Sequence, residues 1–291
     1  MSDFRLKVFQ SVAKNLSFTK ASQELFVSQP AITKHIQELE ATYQTRLFDR
    51  QGSKISLTES GRLLLEHCER ILEDYKRLEY EMHLLHNEYI GELKLGASTT
   101  IAQYVLPPLL GSFIGKFPQV NLSLLNGNSR EIEAALQEHR IDLGLVEGVF
   151  RLPNLKYTTF LEDELVAVVH SKSRLQLPEE ITPQDLPAIP LVLRERGSGT
   201  LDVIERSLQK HGVKLSSLHV LMYLGSTESI KLFLENSDCM GIVSIRSICK
   251  ELAAGTFRVV EIKDMPMLRD FCFVQLQGQE GGLSQAFMNY M

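Results

Sequence analysis

Ser28 and Pro30 constrain the N-terminal part of this chain more strongly than any other pair of residues. A serine caps a helix by accepting a hydrogen bond from a free backbone N–H, and a proline fits the first helical turn, where no donor is needed. The apolar residues that follow recur at steps of four, three and four, and they are Ile32, Ile36, Leu39 and Tyr43. The pattern predicts a helix to about Tyr43 with this face buried.

Two shorter helices are predicted before it. A first helix over residues 4–14, behind a candidate cap at Asp3, has apolar positions on one face, and they are Leu6, Phe9 and Ala13. Ser17 can cap a second helix that ends at about Leu25, and an apolar turn at Phe26 and Val27 follows. Three helices with such short connections are typical of a helix-turn-helix unit.

The exposed face of the third helix has side chains suited to reading a DNA groove. Amide, hydroxyl and ammonium groups near its N-terminus can bond to base edges and phosphates in a major groove. The candidate DNA-binding residues of this helix are Ser28, Gln29, Pro30, Thr33, Lys34 and Gln37. A solvated helix face is the alternative, but the two capped helices, the short turn and the proline-started third helix together favour DNA binding.

Residues 47–50 and 54–57 predict two short strands, and this hairpin would form a wing beside the helices. Arg50 and Lys54 flank its tip, where they could contact backbone phosphates, which set affinity without specifying base sequence. Residues 1–62 carry nine Lys and Arg against six Asp and Glu, although the whole chain has a net charge of −5. The charge distribution therefore agrees with a polyanion partner, double-stranded operator DNA, at this end.

These N-terminal motifs resemble the signature of LysR-type transcriptional regulators. The residues that carry the resemblance are Ser17-Phe18-Thr19-Lys20-Ala21, Leu25, Ser28-Gln29-Pro30-Ala31-Ile32-Thr33, Ile36, Leu39-Glu40, Leu47-Phe48, Arg50 and Leu57-Thr58-Glu59-Ser60-Gly61. The chain departs from the signature at Ser22, where a second alanine is usual, and at Gln44, where a glycine usually ends the recognition helix. The resemblance implies a winged helix-turn-helix domain in a regulator of transcription.

A long helix without glycine or proline is predicted from about Arg62 to Tyr89, capped by Thr58 and stopped by Gly91. At ~1.5 Å per residue it would be about 40 Å long. Its apolar side chains alternate steps of four and three, which is the seam of a coiled coil between two copies of the chain. The candidate dimerisation residues are Leu64, Ile71, Tyr75, Leu78, Met82 and Leu85, with Cys68 on the same seam. A single helix packed on its own domain is the alternative.

Strands and helices alternate from Glu92 onward, which predicts an α/β sheet built in two halves. The predicted strands are 92–96, 120–125, 143–146, 165–169, 191–193, 219–223, 241–244 and 271–276, and the predicted helices are 100–117, 129–139, 201–211 and 227–234. Because the last strand returns near the end of the chain, the two halves are expected to form a hinged pair of lobes.

This region resembles the LysR-type effector domain, which is similar to periplasmic binding proteins. The resemblance rests on Gly96-Ala97-Ser98-Thr99-Thr100, Leu106-Pro107, Phe117-Pro118, Ile141-Asp142-Leu143-Gly144 and Gly241-Ile242. It implies that a small molecule binds between the lobes and that the chain forms a tetramer; self-association as a dimer stays open. The stretch from Arg194 to Thr200 looks like the branch that regulates sulfur assimilation and carbon fixation. RNA polymerase is a further candidate partner.

Three strand-to-helix turns of this region carry hydroxyl side chains. There, hydroxyls and free backbone N–H groups can converge on an anion, and Arg194 or Arg196 could neutralise a carboxylate or another oxyanion. The candidate effector-binding residues are Ser98, Thr99, Thr100, Arg194, Ser198, Thr200 and Thr227. The alternatives are that the hydroxyls are helix caps with no ligand and that the arginines pair with Glu195 or solvent.

The predicted fold class is an α+β winged helix-turn-helix, a coiled-coil linker helix and a two-lobed α/β domain. The predicted bounds are 1–58, 59–90 and 91–291, with one lobe over about 91–162 and 267–291 and the other over about 163–266.

An enzyme is disfavoured, because the chain has no GxxxxGK[ST], GxSxG, strand-linked GxGxxG or HExxH pattern. No catalytic residue, metal site or cofactor is predicted, and the four cysteines are expected to be reduced and buried. A transport or binding protein is the second alternative. The missing signal-peptide pattern and the absence of an apolar run of membrane length favour a cytoplasmic protein without membrane contact.

Overall fold

The computed structural model describes residues 4–51, 54–84, 89–278 and 281–291. The chain divides into two compact units, Met1–Glu88 and Tyr89–Met291, which we call the N-terminal unit and the C-terminal unit. Each unit has its own buried apolar core. Among the described helices, none combines the length and the apolar character needed to cross a membrane.

The N-terminal unit contains the predicted helices and wing. Its elements are α1 (Phe4–Asn15), α2 (Phe18–Glu24), α3 (Gln29–Tyr43), β1 (Phe48–Gln51), β2 (Lys54–Leu57) and α4 (Glu59–Leu84). Both predicted caps are confirmed: the Ser17 hydroxyl accepts from the backbone N–H of Lys20 at 3.2 Å, and that of Ser28 accepts from Ala31 at 3.4 Å. The candidate cap Asp3 lies outside the described residues.

The core of the N-terminal unit corrects one prediction at the end of α3. Ile32, Ile36 and Leu39 are buried as predicted, but Tyr43 is 53% exposed. The reason is that Gln44 adopts a left-handed conformation with φ 49° and turns the chain, after which Leu47 enters the core instead. Gln44 thus ends the helix in the conformation that glycine adopts most easily.

The turn predicted at Phe26 and Val27 is present directly before α3. Val27 packs against the core, whereas Phe26 is 94% exposed and has a φ of 55°. The two apolar residues therefore do not share one environment.

Helix α4 begins on the core of its own unit. The Thr58 hydroxyl accepts from the backbone N–H of Gly61 at 2.9 Å, as predicted for a cap. Cys68 is fully buried, and its thiol donates to the carbonyl of Leu6 at 3.3 Å. Burial raises the pKa of this thiol to about 12, which keeps it protonated and unreactive. Tyr89 was predicted within this helix but lies outside it, where its ring packs on Phe117 at 4.5 Å.

The C-terminal unit is a sheet of two parallel groups joined by two antiparallel strands. In the described residues its strands are β3 (Gly91–Ser98), β4 (Val120–Gly127), β5 (Leu143–Glu147), β6 (Leu155–His170), β7 (Glu180–Ile181), β8 (Leu191–Arg194), β9 (Val220–Leu224), β10 (Met240–Ser244), β11 (Phe257–Ile262) and β12 (Met267–Leu276). The helices that cover the sheet are α5 (Leu106–Lys116), α6 (Ser129–Gln137), α7 (Gly199–Lys210), α8 (Thr227–Glu235), α9 (Cys249–Ala253) and α10 (Gly282–Tyr290).

The strand order is β4-β3-β5-β12-β6-β10-β8-β9, with β11 pairing β6 and β7. Strands β4, β3 and β5 are mutually parallel, as are β10, β8 and β9. We call these groups, with their helices, the first half and the second half. Strands β6 and β12 pair antiparallel along their lengths and connect the halves. The carboxyl ends of the strands in each half carry the turns that line a cleft in this unit.

The structure lengthens one predicted strand and adds elements that the sequence pattern did not predict, which are β7, β11, α9 and α10. Strand β6 begins at Leu155 rather than at residue 165, because its polar first part is stabilised by pairing with β12. The helix predicted over residues 100–117 is a π-helical turn at Ile101–Val105 followed by α5. Pro107 and Pro108, which lack an N–H to donate, follow this irregular turn.

Three of the four cysteines are buried, as expected, and Cys249 is exposed. It is the first residue of the short helix α9, none of whose residues is buried.

Candidate functional site

The outward face of α3 is open to a partner. Ser28, Gln29, Pro30, Lys34 and Gln37 are exposed. Thr33 is half-buried, and its hydroxyl donates to the carbonyl of Gln29 at 3.1 Å. None of the six predicted groove-facing residues is sealed within the core of the N-terminal unit.

The wing, formed by β1 and β2, follows α3 in the sequence, and its two strands pair in a regular antiparallel register. Arg50 pairs with Ile55 and Gln51 pairs with Lys54, so Arg50 and Lys54 stand close to the end of the hairpin. The side chains of Arg50 and Lys54, together with Gly52 and Ser53 at the tip, lie outside the described residues.

The later seam of α4 carries exposed apolar side chains. Ile71 is 40% exposed, Leu78 52% and Met82 53%, while Tyr75 is half-buried. Leu64, at the beginning of the seam, is partly buried against the core of its own unit. Leu85 lies outside the described residues.

A cleft of about 280 Å³ opens in the C-terminal unit where the carboxyl ends of the strands meet. The first half contributes Thr99 and Gln103 after β3, Asn126 to Asn128 at the end of β4, and Glu131 of α6; the second half contributes Glu195 after β8 and Gly225 and Ser226 after β9. Ligands of α/β sheets bind at this edge because the polar turns converge there. The predicted position between the halves therefore corresponds to a real cavity.

The predicted effector residues divide between the cleft and its supporting wall. Thr99 lines the cleft, and its hydroxyl donates to the carbonyl of Gly127 at 3.2 Å. The other six are buried behind it and are Ser98, Thr100, Arg194, Ser198, Thr200 and Thr227. Two serines act as helix caps, which is the alternative role considered for these hydroxyls. Ser198 caps α7 by accepting from the N–H of Thr200 at 3.2 Å, and Ser226 caps α8 by accepting from the N–H of Ser229 at 3.1 Å.

Arg194 is buried, with 2% of its side chain exposed, and it contacts two residues that line the cleft. Its Nε and Nη2 donate to the two carboxylate oxygens of Glu195 at 2.8 and 3.0 Å, and Nη2 also donates to the Thr99 hydroxyl at 3.4 Å. The pairing with Glu195 that the sequence left open is therefore observed.

Three polar atoms around the cleft have no hydrogen-bond partner among the described residues. They are Nη1 of Arg194, Oγ1 of Thr100 and Oε1 of Gln103. Buried polar groups without a partner are rare, since each costs about 1–3 kcal/mol. Of the three residues, Gln103 lines the cleft directly.

A buried ionic network lies behind the cleft and joins both halves. Arg269 on β12 faces Asp163 on β6, and its Nη2 and Nε lie 2.7 and 2.8 Å from Oδ2 of that carboxylate. Nη1 of Arg269 donates to the Thr200 hydroxyl at 2.8 Å and lies 3.5 Å from Oε1 of Glu147. Glu147 accepts in turn from the hydroxyl of Ser98. Two predicted effector residues, Ser98 and Thr200, thus belong to this network.

A second connection between the halves lies beside the cleft. The Tyr104 hydroxyl of the first half donates to Glu228 of α8, and Lys231 donates to the same carboxylate at 2.9 Å. Burial and this hydrogen bond raise the pKa of Tyr104, so the phenol stays protonated and acts as the donor.

The sequence missed several cleft residues, although one signal was available. Asn126, Gly127 and Asn128 form a polar run at the end of a predicted strand, which marks a turn at the sheet edge. Gln103 lies on the π-helical turn, which helical spacing alone does not predict. The described residues contain no group of three or more His, Cys, Asp or Glu side chains placed to hold a metal ion.

Two family models together cover most of the chain. Residues 4–62 match the bacterial regulatory helix-turn-helix protein of the lysR family, and residues 86–291 match the LysR substrate binding domain. This chain belongs to the LysR family of transcription regulators. It is therefore a DNA-binding regulator with an effector-binding domain rather than an enzyme, and the fold class predicted from the sequence is confirmed.

Individual proteins similar to this LysR-family regulator agree with the family assignment. A protein of Cyanidioschyzon merolae named a probable RuBisCO transcriptional regulator is 32% identical over 91% of this chain and 88% of its own length. The regulatory domain of Synechocystis CcmR, solved in complex with 2-PG, is 28% identical, with a TM-score of 0.62 over 69% of this chain and 95% of that one. Full-length CbnR complexed with its target DNA has the same fold at 23% identity, with a TM-score of 0.62 over 100% of this chain and 98% of that one.

Proposed function

We propose that this regulator binds a small anionic effector in the cleft between the two halves of the C-terminal unit. Closure of the halves on the effector would change how the paired DNA-binding units are placed on an operator. The observation that carries the proposal is the buried Arg194, which donates to Thr99 and Glu195 of the cleft lining. Its Nη1 has no partner among the described residues. The 2-PG bound by the CcmR domain, 2-phosphoglycolate, is a small anion of the kind that we propose for this protein.

The hydroxyl of Thr100 offers a test that separates binding from folding. Because this buried hydroxyl has no partner in the described structure, Thr100→Val removes an unsatisfied group of nearly the same shape. We expect the free energy of unfolding of the ligand-free protein to stay the same or to rise by up to ~1 kcal/mol, so that the variant is at least as stable as the wild type. Binding of an effector that completes the site should weaken by ~0.5–1.5 kcal/mol, or about three- to tenfold.

Thermal unfolding and calorimetric titration with 2-PG, inorganic sulfate and inorganic phosphate measure the two effects. Thr42→Val is the matched control, since the Thr42 hydroxyl bonds only its own helix at Glu38 and lies in the N-terminal unit. An unchanged affinity for a bound probe in Thr100→Val would remove Thr100 from the site.

The DNA-binding face is tested by two substitutions with different expected patterns. Gln29 is exposed near the start of α3, so Gln29→Ala should cost ~1–3 kcal/mol at particular base pairs and relax their specificity. Arg50, predicted to contact phosphates from the wing, should weaken binding to all sequences similarly when replaced by alanine and should reduce the salt dependence. Operator variants titrated at several salt concentrations measure both effects. Selective relaxation of one base pair by Arg50→Ala would contradict the phosphate role.

We further propose that α4 pairs with α4 of a second copy. Ile71, Tyr75, Leu78 and Met82 keep the spacing of a coiled-coil seam, and three of them expose large apolar side chains. Leu64 contributes less than predicted to such a contact, because its own unit already covers part of it. The spacing of two operator half-sites would follow from this pairing. Dimers would assemble into the tetramer that the family resemblance implies.

The same proposal includes the domain bounds, the residues that contact DNA or support the effector site, and the location of the protein. The bounds 1–58, 59–90 and 91–291 and the two lobes remain our proposed division, and Ser198, Thr200 and Thr227 are proposed to support the effector site. The sites proposed for DNA are Ser28, Gln29, Pro30, Thr33, Lys34, Gln37, Arg50 and Lys54. A cytoplasmic location and contact with RNA polymerase are likewise proposed, since the family acts on DNA.

A further inference from the structure

Glu195 occupies the place on Arg194 where an external anion would bind. Two parallel hydrogen bonds join Nε and Nη2 of Arg194 to the two oxygens of Glu195, which is the geometry in which a guanidinium binds a carboxylate or phosphate ligand. Arg194 has 2% of its side chain exposed, whereas Glu195 has 26% exposed and lines the cleft. The carboxylate therefore lies between the guanidinium and the space that would receive a ligand.

The Glu195 carboxylate is held by little else. The side-chain hydrogen bonds that it makes in the described structure both come from Arg194, and its backbone N–H donates to the carbonyl of Leu224 at 3.3 Å. Glu131, the other carboxylate of the cleft, differs in this respect. It accepts from the backbone N–H of Asn128 at 2.8 Å as part of a capping box, so α6 holds it in place. Glu195 is thus the cleft carboxylate that can turn away without breaking a helix cap.

We infer that Glu195 is a built-in competitor of the effector: the anionic group of the effector takes the place of the Glu195 carboxylate on Arg194. The inference rests on the proposed anion site and adds the residue that sets its affinity. The Arg194 guanidinium keeps an anionic partner throughout, because the effector anion replaces the Glu195 carboxylate while that carboxylate turns into the cleft. The displaced carboxylate then repels the bound anion. Glu195 therefore keeps affinity for simple anions low and favours effectors that carry a hydrogen-bond donor beside the anionic group.

The test is Glu195→Gln in the full-length protein. The amide keeps the size of the side chain but removes the charge that competes for Arg194. We expect inorganic sulfate, inorganic phosphate and 2-PG to bind about tenfold more tightly or better than to the wild type, measured by titration calorimetry at constant ionic strength. The matched control is Glu138→Gln, because Glu138 lies on the surface, away from the cleft, and pairs with Arg140. It should leave the affinities unchanged, and thermal unfolding checks that all three proteins are folded.

Each outcome decides between distinct possibilities. Tighter binding in Glu195→Gln, including binding that the wild type does not show, supports the inference. Measurable binding to the wild type that Glu195→Gln leaves unchanged overturns the inference alone. Weaker binding in Glu195→Gln overturns it in favour of a direct contact between Glu195 and the ligand. No binding of any probe to any of the three proteins overturns the anion site itself, and the inference with it.

Discussion

Replacing Arg269 with methionine should lower the free energy of unfolding of the C-terminal unit by about 3–5 kcal/mol. The guanidinium is fully buried between two buried carboxylates, those of Asp163 and Glu147. Methionine fills much of the same volume but leaves both carboxylates without their principal cation. Asp163 keeps a hydrogen bond from Ser244 at 2.7 Å and the half-exposed Arg246 at 3.5 Å, which offset only part of the loss.

Urea denaturation followed by circular dichroism measures this effect. Arg140→Met is the matched control: Arg140 pairs with Glu138 at 2.7 Å, but both side chains are more than half exposed, and such a pair contributes about 0–1 kcal/mol. In a double-mutant cycle, Arg269→Met with Asp163→Asn should cost less than the sum of the single changes, because the two residues interact directly. A loss below about 1 kcal/mol in Arg269→Met would show that the network contributes little to the stability of the C-terminal unit.

Replacing Arg194 with methionine should weaken the binding of anions to the C-terminal unit by about 2–5 kcal/mol, or thirtyfold and more. The guanidinium is the buried cation that contacts both Thr99 and Glu195 at the wall of the cleft. Its removal should destabilise the protein much less than Arg269→Met does. The reason is that the carboxylate left behind, Glu195, already reaches the cleft and can turn to solvent.

Titration with inorganic sulfate, inorganic phosphate and 2-PG measures the loss, and thermal unfolding measures stability. Arg196→Met is the control, because Arg196 has the same side chain two residues along the same turn but is exposed and does not line the cleft. It should change affinity less than twofold. Equal losses in Arg194→Met and Arg196→Met would mean that the general charge of the turn, rather than one buried guanidinium, attracts the anion.

The N-terminal unit was predictable in most of its detail because its signals are local. A serine oxygen at residues 17 and 28 caps the helix that follows it, and the spacing of Ile32, Ile36 and Leu39 places them on one face whatever the rest of the chain does. Tyr43 was misplaced because its burial depends on where the chain goes after Gln44. That direction is set by a left-handed residue that is not a glycine.

The cleft was predictable only in position. The rule that parallel strands present their carboxyl ends at one edge located Ser98, Thr99 and Arg194 at the end of their strands. It did not distinguish a side chain that faces the cleft from one that faces the ionic network behind it. Ser98 and Thr200 illustrate the difference: both are predicted to bind the effector, and in the structure the Ser98 hydroxyl bonds to Glu147 and the Thr200 hydroxyl to Arg269.

Sequence alone determined the family, the order of the helices in the N-terminal unit, most of the strands and helices of the C-terminal unit and the polar face of α3. These follow from caps, periodicity and motifs that act over a few residues. The pairing of β6 with β12 and the burial of Asp163 beside Arg269 were decided by tertiary structure. The physical reason is that a charged residue reads as exposed in sequence, and only the packing of distant strands shows whether a partner compensates for its burial.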